Sequence, residues 1–198
     1  MKRICIYCGS KTGDHPAYRE AAKELGRQLV ARNMELVFGA GSIGLMGVVA
    51  DTVLNEGGTL IAGGTVIGVI PKFLSGREVM HQSMSETHIV ETMHERKALM
   101  EEMSDVFVAM PGGLGTFEEL FEILTWSQLG LHRKNVGILN VRGYFDPLLQ
   151  QIDHAIAEGF VKDDNRELFV VSDDPKELLD MLEQHELPQV KQWKSDDE

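Results

Sequence analysis

Apolar positions along the chain follow two rhythms. Short continuous runs at Arg3–Cys8, Glu35–Phe38, Val106–Met110, Val136–Val141 and Leu168–Val171 have the length and composition of buried strands. Between them lie longer stretches in which apolar residues recur at helical spacing. In residues 15–32 these are Ala17, Ala21, Ala22, Leu25, Leu29 and Val30, which share one helix face. Further helices are predicted over 45–56, 93–103, 116–129, 144–158 and 175–183. Gly57-Gly58 stops the first of these, and Asp173-Asp174-Pro175 starts the last. A strand leads into Pro71 and a short one is predicted over 88–91. Residues 71–88 read as a long loop of the kind that often covers a site. Gly57–Ala62 and Gly63–Gly68 form a near-repeat, of which one copy is enough to make the strand before Pro71.

Strands and helices alternating in this way imply an α/β fold, a parallel sheet with helices on both faces. Ligands then bind beyond the carboxyl ends of the strands. Glycine loops follow strands at 9–13, 39–47 and 111–116, and are expected to gather along one edge of the sheet. A chain of 198 residues suits one domain, here 1–188, with a polar tail over 189–198.

Composition narrows the function classes. A 43% hydrophobic and 25% charged chain is ordinary for a globular protein. The net charge of −12 argues against binding a nucleic-acid polymer or an anionic membrane, but leaves room for a local phosphate site. No stretch approaches the roughly 20 apolar residues of a membrane span. The apolar run at the start is too short for a signal peptide, so a cytoplasmic protein is expected. Cys5 and Cys8 are three apart on a predicted strand, hence on opposite faces, and read as buried reduced thiols.

The candidate chemistry lies in three clusters. Gly39-Ala40-Gly41-Ser42-Ile43-Gly44 fits G-x-G-x-x-G, but the acidic residue that a dinucleotide site needs about twenty positions on is missing from Leu60-Ile61-Ala62. A tight turn or a loop touching a smaller nucleotide, through Gly41 and Ser42, fits better. Pro111-Gly112-Gly113-Leu114-Gly115-Thr116-Phe117-Glu118-Glu119 combines a glycine-rich backbone, a threonine and free helix-start N–H groups, the makings of an anion cradle. Its two carboxylates read either as helix-start charge or as chemistry. Adjacent helical residues diverge by about 100°, so at most one faces a ligand squarely. In Met93-His94-Glu95-Arg96-Lys97 two cations sit near a helix start against the dipole, which suits a ligand as well as a solvated corner. The histidines lack metal-ligand spacing, and no P-loop or nucleophile elbow occurs.

At these residues the chain resembles the Lonely Guy family of cytokinin-activating phosphoribohydrolases, whose members have often carried a lysine-decarboxylase label. The resemblance rests on the PGGxGTxxE signature at Pro111–Glu119. Met93–Lys97, Gly44–Gly47, Val69–Lys72 and Thr125–Gly130 support it, and the order agrees from about Cys8 to Leu149. Ala40 stands where a third consecutive glycine is usual. The resemblance implies a Rossmann-like three-layer sandwich, a homodimer, and release of free base and ribose 5-phosphate from a nucleoside monophosphate. It implies Arg96 and Glu119 as the catalytic pair. Gly113, Leu114, Gly115, Thr116, Phe117, Glu118 and Thr125 would hold phosphate and ribose, with Glu78 and Lys97 contacting the substrate. Glu119 would stabilise the oxocarbenium-like transition state and orient or deprotonate water. No metal or redox cofactor is required. An AMP nucleosidase in salvage and a non-catalytic nucleotide carrier are the alternative readings. Lysine decarboxylation would need a pyridoxal lysine, and nothing distinguishes Lys72 or Lys97 for that role.

Overall fold

A computed structural model of the protein describes residues 1–56, 64–76 and 80–189. Among these, strands β1 (Arg3–Tyr7), β2 (Glu35–Phe38), β3 (Val66–Pro71), β4 (Glu86–Val90), β5 (Val106–Ala109), β6 (Asn135–Leu139) and β7 (Phe169–Ser172) form one sheet. Its order is β4-β3-β2-β1-β5-β6-β7, with every pairing parallel. Parallel pairing demands crossovers, and the helices supply them: α1 (Pro16–Ala31), α2 (Gly44–Glu56), α3 (Lys72–Ser75), α4 (Met93–Glu102), α5 (Leu114–Gln128), α6 (Asp146–Ala157) and α7 (Pro175–Gln184).

Alternation along the strands divides the core in two. Ile4, Ile6, Leu36 and Phe38 pack with Leu25 and Leu29 of α1, Val49 of α2 and Leu178 of α7. Cys5, Tyr7, Val37 and Phe107 face the other way, against Met100 of α4 and Leu120 and Ile123 of α5. Cys5 and Cys8 fall in different halves and are both buried and unpaired, so the paired spacing makes neither a redox couple nor a metal site. The result is a Rossmann-like three-layer sandwich.

Helix starts are specified locally. Thr92 Oγ1 accepts from Glu95 N at 3.1 Å ahead of α4, and Asp174 Oδ1 accepts from Glu177 N at 2.8 Å ahead of α7. Among the described residues no helix is long and apolar enough to cross a membrane.

Three expectations change. The span 71–88 is not one loop: it includes the helical turn α3, an isolated bridge from Met80 to Gly41, and β4, which begins at Glu86. The end of the second copy of the near-repeat supplies the start of β3, while the whole of the first copy and residue 63 lie outside the described residues, as do Glu78 and the tail from 190. The α5 helix begins at Leu114, two residues before the predicted start, because Gly113 serves as N-cap in an extended conformation.

Sheet order reverses its direction of growth between β1 and β5, the topological switch point where α/β sheets open a crevice. The glycine loops gather there. Gly9 N donates to Pro111 O at 3.1 Å, and Leu45 N donates to Gly9 O at 2.9 Å.

Candidate active site

The early start of α5 moves Glu118 and Glu119 into its second turn. Its first turn is Leu114-Gly115-Thr116-Phe117, so neither carboxylate caps the helix. Gly113 has no side chain with which to satisfy the first N–H groups, and these face the loop edge. Gly113, Leu114 and Gly115 are exposed, whereas Thr116 is buried. Thr116 Oγ1 packs so closely under Gly112 that a Cβ there would run into it, and that same Cβ would stand 2.8 Å from Gly9 N. The loop therefore needs glycine at this position to pass between the threonine and the β1 loop.

Helical geometry separates the two carboxylates. Glu119 turns inward, with its side chain 10% exposed, and meets Arg96 with Nη2–Oε1 at 3.3 Å. Arg96 is held from two further directions. Its Nε donates to Val69 O at 3.2 Å at the end of β3, and its guanidinium lies against Gly39 at the end of β2, where any Cβ would collide with it. Burial pushes the Glu119 carboxyl up to about 7, with Glu118 and Glu122 adding to the rise and Arg96 and Lys97 opposing it. A carboxyl near neutrality beside a fixed guanidinium suits proton transfer at physiological pH.

Glu118 turns the other way and pairs with Lys97, whose Nζ also donates to Glu122 at 2.9 Å. Lys97 is buried, and its charge is answered by α5 carboxylates, which accounts for a cation early in α4 without a ligand. Met93 opens α4, so Arg96 closes its first turn and Lys97 begins the second. Phe117 stacks on Tyr144, 6.4 Å between centroids. Thr125 is exposed and donates to Phe121 O at 2.6 Å within α5, two turns from Glu118. Gly41 bridges to Met80, and Ser42 precedes α2.

A cleft of about 400 Å³ opens beside Gly9 and Pro111–Gly113, and neither Arg96 nor Glu119 is among its lining residues. Ser10–Gly13, Tyr18, Leu45 and Tyr144 line it, with Gly113 shared with the predicted site. The carboxyl raised toward neutrality, Glu119, is not part of this mostly apolar lining. The cleft's glycine loop was visible as a turn after the first strand. Tyr18 and Tyr144 carry no local signal, being 126 positions apart and joined only by the fold.

Ala40 has φ +60° and is fully buried, so the residue standing in place of a glycine occupies a left-handed conformation. That conformation costs roughly 1–2 kcal/mol for an alanine.

The family described as "Possible lysine decarboxylase" matches residues 46–182. "Cytokinin riboside 5'-monophosphate phosphoribohydrolase LOG" of Oryza sativa subsp. japonica is 50% identical over 185 residues, 93% of this chain and 74% of that protein. "Cytokinin riboside 5'-monophosphate phosphoribohydrolase LOG1" of Arabidopsis thaliana is 49% identical over 185 residues, 93% of this chain and 84% of that protein. Among solved structures, the molybdenum cofactor carrier protein of Chlamydomonas reinhardtii superposes with a TM-score of 0.67 over 92% of this chain and 96% of its own, at 21% identity. At that identity the likeness speaks for the fold alone. Half-identity along nearly the whole chain, with the signature loop opening α5 and its last carboxylate set against Arg96, places this chain in the Lonely Guy family of phosphoribohydrolases.

Proposed function

We propose that the protein hydrolyses the N-glycosidic bond of a nucleoside 5′-monophosphate, a cytokinin ribotide or AMP, to free base and ribose 5-phosphate. The observation that carries this reading is the buried Glu119 carboxyl, raised to about 7 and held against Arg96 behind a helix start that suits an anion. Glu119 stands five residues beyond Leu114, about 7.5 Å along the helix axis.

Phosphate sits at the N–H groups of Gly113, Leu114, Gly115 and Thr116. As the bond to the base lengthens, positive charge grows on the ribose and the ionised Glu119 stabilises it. Glu119 also takes a proton from the attacking water. The oxygen bonds to the anomeric carbon, and the base leaves with the bonding pair and gains a proton. Arg96, tied to Val69 O, keeps the carboxylate in position. The family signature extends the substrate's surroundings to Phe117, Glu118, Lys97, Thr125, Gly41, Ser42 and Glu78. Lys97 reaches a substrate only by releasing Glu118 and Glu122.

The same resemblance supports a homodimer. Two buried, unpaired cysteines agree with a cytoplasmic setting.

Incubation with AMP and with isopentenyladenosine monophosphate, following free base and ribose 5-phosphate, tests the reaction. Turnover is expected with both, and Glu119→Ala is expected to lower it by about 10²–10⁴-fold. Tight binding without turnover would leave a nucleotide carrier. A strong preference for AMP would favour nucleotide salvage over hormone activation.

A further inference from the structure

The Tyr144 hydroxyl donates to Gly112 O, the carbonyl at the back of the signature loop. A trans peptide is planar, with the C=O of one residue antiparallel to the N–H of the next. Fixing the Gly112 carbonyl toward Tyr144 therefore fixes the Gly113 N–H in the opposite direction, away from Tyr144. A glycine-glycine peptide has little else to fix its orientation, since neither residue brings a side chain to hold it.

Tyr144 is itself held with unusual thoroughness for a connecting segment. Asn140 closes the turn after β6: its Oδ1 accepts from Phe145 N at 2.7 Å and its Nδ2 donates to Asp146 Oδ1 at 2.7 Å. Arg142 and Gly143, at φ +58° and +70°, bend the chain back within it. The ring then meets Tyr18 of α1 edge-on at 5.9 Å, Phe145 edge-on at 5.1 Å, and Phe117 of α5 in a stack. Tyr144 thus grips the loop twice, at Gly112 before the helix and at Phe117 within it. Packing alone would be served by phenylalanine. The hydroxyl has the loop carbonyl as its partner.

The geometry points to Tyr144 as a positioning residue that aims the Gly113 N–H at the substrate phosphate, so that it governs phosphate affinity from outside the site. This rests on reading the α5 start as the phosphate site.

Tyr144→Phe tests it, because the ring and its contacts remain while the donor is lost. Ribose 5-phosphate binding to wild type and variant is measured by calorimetry, beside KM and kcat for AMP. The expected result is affinity for ribose 5-phosphate about tenfold weaker and KM about tenfold higher, the scale of one hydrogen bond, with kcat within about twofold. The Gly113 amide resonance is expected to move in the variant, a change that loss of packing elsewhere would not produce. Unchanged ribose 5-phosphate affinity, or a fall in kcat with KM unmoved, overturns the inference while leaving the hydrolytic reading intact. Failure of the wild type to bind ribose 5-phosphate removes the phosphate site, and this role for Tyr144 with it.

Discussion

Glu119 is where a single residue joins function to stability. Its carboxyl in the folded protein keeps a proton up to about pH 7, against an ordinary value of 4.5. Between those values the native state binds more protons than the unfolded chain. The contribution to stability is therefore fully present below about 4.5 and is lost as pH rises through 7. The rise corresponds to at most about 3 kcal/mol. Ionisation, which the proposed chemistry needs, thus opposes the fold. Urea unfolding of wild type should show stability falling between pH 5 and pH 8, and Glu119→Gln should remove most of that fall. Turnover should move the opposite way, with kcat rising through about pH 7. If the unfolding midpoint of the variant declines with pH as the wild type's does, the burial argument for Glu119 fails. The choice of Glu119 over Glu118 was half legible in the sequence. Adjacent helical positions diverge by about 100°, so one of the two had to turn away. That Glu118 turns toward Lys97 required knowing that α4 packs beside α5.

At the scale of elements, the site is a contact between the end of one strand and the side of a helix. Arg96 leaves α4 and brings its Nη2 against Gly39 at the end of β2, and only a residue without a Cβ leaves it room. Gly39→Ala should displace the guanidinium by about an ångström or more and cost on the order of 10²-fold in kcat, as misplaced catalytic groups do. Thermal unfolding should stay close to wild type, which separates lost positioning from lost fold. Full activity in this variant would mean that the Arg96–Glu119 geometry is not needed. Most elements were readable beforehand, since buried strands and amphipathic helices announce themselves by period. The start of α5 was not. Gly113-Leu114-Gly115 has poor helix propensity, and it is the sheet below and Gly113 as cap that draw the helix back to Leu114. The span after Pro71 was misread for a related reason: β4 is an edge strand, mostly exposed, and lacks the apolar run that marked the others.

For the whole molecule, the proposed dimer has a candidate face. Leu114, Phe121 and Leu129 lie seven and eight residues apart along one side of α5 and are 85%, 43% and 38% exposed, with Leu131 at 69% just beyond. A stripe of that kind beside the site is suited to self-association. Light scattering is expected to show a dimer for wild type and a monomer for Phe121→Glu at micromolar concentration. A monomeric wild type, or a variant that stays dimeric, would remove this face from the interface.

From its own order of residues the chain determined the layered α/β class, the strands and helices within a few positions, and the loop that marks the family. All of these depend on neighbours in sequence: periodicity, caps and glycine spacing. What the tertiary structure alone decided are the meetings between distant segments. Arg96 reaches Glu119 because β4 leads α4 back across the sheet to lie beside α5. Tyr144 reaches Gly112 because β6 pairs with β5. Crossovers bring such residues together, and a one-dimensional pattern carries no record of which strand will pair with which.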